Sequence, residues 1–257
     1  MRPLELYISP CPNDTFAFEA LLNGRVDTEG LEFNLHLADI EELNIAATQS
    51  LPDIGKISTS LLPIIAGEYE LLDSGSALGR GNGQLLVRRK GDCTPIHSVA
   101  IPGVHTTANA MLTLFFPELE LRTPMLFSDI AQAVADGVCD AGVLIHEGRF
   151  VYGRYGLELV ADLGALWEQS TGLPLPLGAI TARRSLPEDV RRAAERVIAR
   201  SVRFAMEHPA VSRPFVKAHA REMDDDVIDK HISLFVNEFT ISLGSEGRRA
   251  VRHLTEI

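Results

Sequence analysis

The strongest constraint in this chain is the order of its apolar segments. Short strand-like runs alternate with helix-like ones in two series, and a long strand-free helical tail follows. Leu4 to Ser9 has a period of two, and the Pro10-Cys11-Pro12-Asn13-Asp14 turn leads into an apolar helix expected from Thr15 to Leu22, stopped by Gly24. Leu31 to Leu37 alternates again, and Asp39 can cap a helix through Gln49. Asp53 to Ile57 then reads as a strand feeding Ser58-Thr59-Ser60 and another apolar helix. Such alternation predicts an α/β protein with mostly parallel sheet.

A strand at Gln84 to Arg88 is followed by Gly91-Asp92 and Pro95, a natural break, and a second series begins beyond it. Ser98 to Ile101 is expected as a strand, Thr106 to Phe116 as a helix, Ser128 to Asp136 as a capped helix, and Cys139 to Ile145 as a buried strand. The chain breaks again near Leu175-Pro176-Leu177, Gly178 to Arg183 is one more strand, and everything after Pro187 is helical. Two series, two breaks and a tail without a sheet of its own imply a discontinuous first lobe, residues 1–90 and 178–257, and a second lobe, residues 91–177. Two crossovers would make a hinge, with a ligand cleft at the C-terminal ends of the strands between the lobes.

At 257 residues the chain can bury a full core without disulfides or metal. Its 24 Lys and Arg against 35 Asp and Glu, a formal charge of −11, disfavour nucleic acid as a partner. Glu5 interrupts the first apolar run, where a signal peptide needs an unbroken core, and no stretch reaches membrane-spanning length. A cytoplasmic protein with no membrane partner is expected, and the oligomeric state is left open. Cys11, Cys93 and Cys139 form no short C-x-x-C pair, so reduced thiols are expected and no metal site.

Four segments carry candidate chemistry. Ser9 to Thr15 lies at a strand-to-helix junction, where free helical amides can bind an anion and Asn13 or Asp14 can cap, although a rigid Pro-braced turn explains it as well. Gly103-Val104-His105-Thr106-Thr107-Ala108 repeats the arrangement, with two hydroxyls at a helix start that could face a carboxylate. Lys56-Ile57-Ser58-Thr59 adds a possible counter-charge, against the plainer reading of a solvated lysine. The fourth is His146, which ends the apolar strand Ala141 to Ile145, where parallel sheets expose reactive groups and where a neutral imidazole is a competent general base. The glycine-rich run Gly75 to Gly83 lacks the Gly-Lys-Ser/Thr of a phosphate loop, so flexibility or shaping of the cleft is the better reading.

Taken together, Ser9-Pro10-Cys11-Pro12-Asn13-Asp14-Thr15-Phe16, Ala77-Leu78-Gly79-Arg80-Gly81, His105-Thr106-Thr107-Ala108, Ile145-His146-Glu147 and Thr171 to Gly178 resemble the 1,4-dihydroxy-6-naphthoate synthases of the futalosine route to menaquinone. The resemblance spans nearly the whole chain. It implies a two-lobed fold like type II periplasmic solute-binding proteins and a lyase that converts cyclic dehypoxanthinyl futalosine, a small-molecule carboxylate, to the naphthoate. It implies His146 as proton acceptor and Lys56, Ile57, Ser58, Thr107 and Ala108 as substrate contacts, with no cofactor and no metal. Val104 stands where the family pattern leads one to expect a basic residue, and Gly148 where it leads one to expect a serine. A non-catalytic binding protein for a small anion and chorismate dehydratase, a similar fold, are the competing readings.

Overall fold

The computed structural model describes residues 2–220 and 224–256. Two mixed sheets form the framework. The first contains β1 (Leu4–Ile8), β2 (Phe33–Leu37), β3 (Ile54–Ser58), β4 (Tyr69–Leu71) and β5 (Ala77–Gly79). The second contains β6 (Leu85–Arg89), β7 (Ser98–Ile101), β8 (Leu121–Pro124), β9 (Ala141–Leu144) and β10 (Leu157–Asp162), after which β11 (Leu175–Arg183) returns to the first.

The parallel reading holds for half of each sheet. β1 runs parallel to β2 and β3, and β7 runs parallel to β8 and β9, as helical crossovers require. β11, however, is antiparallel to β3, β4 and β5, and β6 is antiparallel to β9 and β10. Both odd strands enter directly from the other sheet. Without a crossover helix over their own sheet, nothing forces them into the parallel direction.

β6 also corrects the expected division after residue 90. Leu85 to Arg88 pair with Leu144 to Ala141, so the chain passes between the sheets before Leu85, around Asn82-Gly83-Gln84. The reason is burial on two faces. Leu86 packs with Val99 and Trp167 on one side, and Leu85 and Val87 pack with Ala100 and Val134 on the other, which only the second sheet offers. The return falls near Leu173 and Pro174, because β11 begins at Leu175 rather than Gly178 and its first residues already pair with β5.

The helix expected from Thr15 begins three residues earlier, spanning Pro12–Leu22. Pro12 suits the first helical position, where a missing N–H costs nothing. Cys11 therefore occupies the cap position without a side-chain bond, and Asn13 and Asp14, expected as caps, lie inside the first turn. Asp39 does cap the helix Ile40–Thr48, in a reciprocal box with Glu42.

The tail packs on the first sheet. Val197, Ile198 and Val202 of the helix Glu188–Glu207 join Leu6, Ile8 and Phe18 in one core cluster, where each buried apolar side chain contributes about 1.5–3 kcal/mol. The last helix, Gly244–Thr255, spans the crossover: Leu254 joins the cluster of Trp167 and Leu175, while Val251 joins Leu78 and Leu173.

Candidate active site

Between the sheets lies a cleft formed where β3, β9 and β11 end or bend and where two helices begin. Lys56, Ser58, Thr107, Ala108 and His146 all line it. Ile57 does not. It is fully buried on the opposite face of β3 with Leu61 and Tyr69, because side chains alternate along a strand and the residues on either side of it take the cleft. Asn13, Gln84, Gly178 and Phe235 line the cleft as well, and of these only Asn13 stands in a segment that the sequence offers as lining a site. Gly178 carries a local signal: a Cβ there would stand 2.9 Å from Lys56 Cε, so only glycine lets the lysine lie along β11.

Lys56 is not a solvated lysine. Its side chain is 4% exposed, and Nζ lies 2.5 Å from Asp14 Oδ1. Asp14 also accepts from Ser9 N, Ser9 Oγ and Asn13 Nδ2, at 3.1, 2.6 and 2.8 Å. This explains the Ser-Pro-Cys-Pro-Asn-Asp motif physically. The prolines bend the chain so that the serine and the acid converge, and together they hold a buried ion pair with its remaining valences filled. Cys11 is no nucleophile here, since burial, reinforced by the carboxylate of Glu147, pushes its thiol well up.

Ser58 is gripped at two points by Asn44, whose Oδ1 accepts from Ser58 N at 2.8 Å and whose Nδ2 donates to Ser58 Oγ at 3.0 Å. With its oxygen already accepting, the serine has its own proton to offer the cleft. Thr106 caps the helix Thr107–Phe115 through Asn109 N, and Thr107 Oγ1 donates to Leu177 O at 2.8 Å. The threonine hydroxyls expected to face a ligand are thus used within the fold. What this helix start presents is the first-turn amides of Thr107 and Ala108, which have no intrahelical acceptor.

The neighbouring amides of Val104 and His105 already hold a carboxylate, that of Glu41. Val104 is exposed, so the residue that departs from the expected basic type contributes its backbone rather than its side chain. Gly148 opens the short helix Gly148–Val151 and faces Leu144.

His146 lies two residues past the end of β9 with φ of +51°, a left-handed conformation uncommon for a non-glycine residue. Such strain persists where the surroundings fix it, and here they do. Phe127 meets the imidazole edge-on with ring centroids 4.9 Å apart, and His231 lies nearly parallel to it at 5.9 Å. His231 comes from the tail helix Asp225–Phe235 and is fully buried. Its Nε2 lies 2.9 Å from Asn13 Oδ1, and burial, with the nearby Lys56 ammonium, pushes it down to about 3. Among the described residues no group of three or more His, Cys, Asp or Glu side chains is placed to hold a metal ion, and no helix is long and apolar enough to cross a membrane.

Residues 4–257 match the family model described as menaquinone biosynthesis. The 1,4-dihydroxy-6-naphthoate synthase of Thermus thermophilus is 45% identical, with 99% of this chain and 93% of that one covered. The enzyme of the same name from Streptomyces coelicolor is 43% identical, with 98% and 91% covered. The chain belongs to this menaquinone-biosynthesis family. It is therefore an enzyme of the 1,4-dihydroxy-6-naphthoate synthase group, as the ordered motifs imply. A solved structure from Archaeoglobus fulgidus superposes with a TM-score of 0.91 at 33% identity, covering 99% of this chain and 96% of that one. The ligand-binding component of an ABC-type import system from Staphylococcus aureus gives 0.74 at 12% identity, covering 100% and 91%. The synthase fold is thus that of periplasmic binding proteins, as expected.

Proposed function

We propose that this synthase converts cyclic dehypoxanthinyl futalosine to 1,4-dihydroxy-6-naphthoate in the cytoplasm, with a small-molecule carboxylate as its only partner in the reaction. The observation that carries the reading is the position of His146. It stands at the end of β9 in a constrained backbone and faces a cleft whose other walls present Ser58 and the amides of Thr107 and Ala108. His146 removes a proton activated by the substrate's ketone. The Ser58 hydroxyl and the helix-start amides hold the carboxylate and steady the oxyanion that develops. Elimination opens the sugar-derived ring, with the proton taken by His146 returned to the departing oxygen, and cleavage of the carbon–carbon bond then releases the sugar-derived carbons as a carbonyl fragment and leaves the naphthoate, whose aromatisation provides the thermodynamic pull. Closure of the lobes excludes water during these steps.

The test is incubation of purified protein with cyclic dehypoxanthinyl futalosine, with chelator present and no added cofactor, following naphthoate release by chromatography. Release of the naphthoate supports the lyase. Binding without conversion removes this substrate and leaves an enzyme of the family acting on something else, with chorismate as the next compound to assay.

A further inference from the structure

We propose that His231 is a positioning residue for His146, its own ring held by Asn13 and laid nearly parallel to the His146 imidazole at the wall of the cleft. The inference rests on His146 being the base, and it assigns a task to a tail histidine that touches no substrate.

The tautomer of His231 follows from a chain of bonds. Asp14, anchored by Lys56, accepts from Asn13 Nδ2, which leaves Asn13 Oδ1 as the acceptor facing His231. His231 Nε2 must then carry the proton of the 2.9 Å bond, and Nδ1 is bare. Nδ1 is buried with no hydrogen-bond partner among the described residues, an arrangement a residue serving stability alone has no reason to keep. A leucine or phenylalanine would fill the same volume without the orphaned nitrogen.

The imidazole does have neighbours suited to a fixed flat wall. His146 lies across one side at 5.9 Å with planes 19° apart, and Phe235 packs at 4.6 Å. His146 is enclosed in turn between His231 and Phe127. The wall also stays uncharged, since burial holds His231 far below neutrality, so it sets the direction of the base without competing for its proton. The device links three segments distant in sequence: the Asn13-Asp14 turn, the end of β9, and the tail.

The deciding experiment compares His231→Gln, which keeps a donor for Asn13 but removes the ring, with His231→Phe, which keeps a ring but removes the donor. Turnover and long-range proton–nitrogen spectra of the His146 ring are recorded for both. Gln at 231 should lower kcat by about 10- to 100-fold with KM changed less than threefold, the scale expected for misplacing a catalytic group, and should alter the His146 ring signals. Phe at 231, whose ring Asn13 no longer holds, should recover only part of kcat. A Gln variant with unaltered His146 signals and wild-type kcat overturns the proposal, as does a Phe variant no better than Gln. His146→Ala is assayed alongside. If it turns over normally, the base assignment falls, and the ring spectra still decide whether His231 orients His146.

Discussion

Glu41 Oε1 lies 2.7 Å from His105 Nδ1, and the same carboxylate accepts from the backbone amides of Val104 and His105. Glu41 belongs to the helix Ile40–Thr48 beside the first sheet, and His105 to the loop after β7 in the second. The pair therefore ties the two sides of the cleft together, assisted by Ser60 Oγ donating to His105 O at 2.9 Å. Gly103 allows the approach, since a Cβ at that position would run into the Glu41 carboxylate.

A single partly exposed hydrogen bond of this kind is worth about 1 kcal/mol. Glu41→Gln should accordingly loosen closure several-fold at most, raising KM more than it lowers kcat. Small-angle scattering of the ligand-free variant should show a slightly larger radius of gyration. Unchanged scattering together with unchanged KM would mean that the contact does not govern closure.

His146→Ala should keep the fold and bind substrate while losing about 10²- to 10⁴-fold in turnover, the usual contribution of a general base. Rapid-quench measurement of naphthoate formation against equilibrium binding separates the two effects. Near-normal turnover would take the proton-accepting role away from His146.

Local signals made much of this legible in the sequence. Apolar alternation marks β1 and β2, a buried apolar run marks β9, and the strand that ends at His146 marks where a reactive group would stand. Long-range pairing was not legible. The resemblance implies Ile57 as a substrate contact beside Lys56 and Ser58, yet strand alternation turns it into the core with Tyr69. β6 carries no mark of the sheet it joins, because its choice depends on Ala141 to Leu144, more than fifty positions away. Short strands such as β4 and β5 are set by pairing with β11 rather than by their own pattern. The role of Asn13 stayed hidden because its partner His231 lies on a tail helix that periodicity shows only as amphipathic.

Acid sensitivity follows from His231. In the unfolded chain this group titrates near 6.5, and in the fold it remains neutral down to about 3. Between those values the unfolded state binds the extra proton, so stability falls as pH falls from 6.5 toward 3. The loss from this residue alone should reach about 2–3 kcal/mol by about pH 4.5. Urea unfolding at a series of pH values should show a shallower decline in His231→Phe than in the parent, and equal slopes would deny His231 this part in acid unfolding.

Lys56→Met should cost about 3–5 kcal/mol in urea unfolding, because it strands the buried Asp14 carboxylate with only Ser9 and Asn13 as donors. The ammonium is already paired inside the protein, so its loss should act chiefly through the Ser9-to-Asp14 turn that bears on the cleft. Loss of activity should therefore track loss of stability across temperature. A variant of native stability would show the pair to be unimportant for the fold.

Gly83 tests the crossover itself. A Cβ on Gly83 would overlap the backbone of Gly164, and one on Gly164 would overlap Gly83, so the two segments touch main chain to main chain where the chain enters the second sheet. No rotamer change can relieve a clash between a Cβ and backbone. Gly83→Ala must push the Asn82-Gln84 segment away from the start of the helix Leu163–Thr171, at about 1–3 kcal/mol for overpacking. Asn82 and Gln84 both line the cleft, so the displacement reaches the site as well. Thermal unfolding and kcat/KM should fall together in Gly83→Ala, and a variant with a lowered melting point but intact kcat/KM would show that the cleft tolerates movement of this wall.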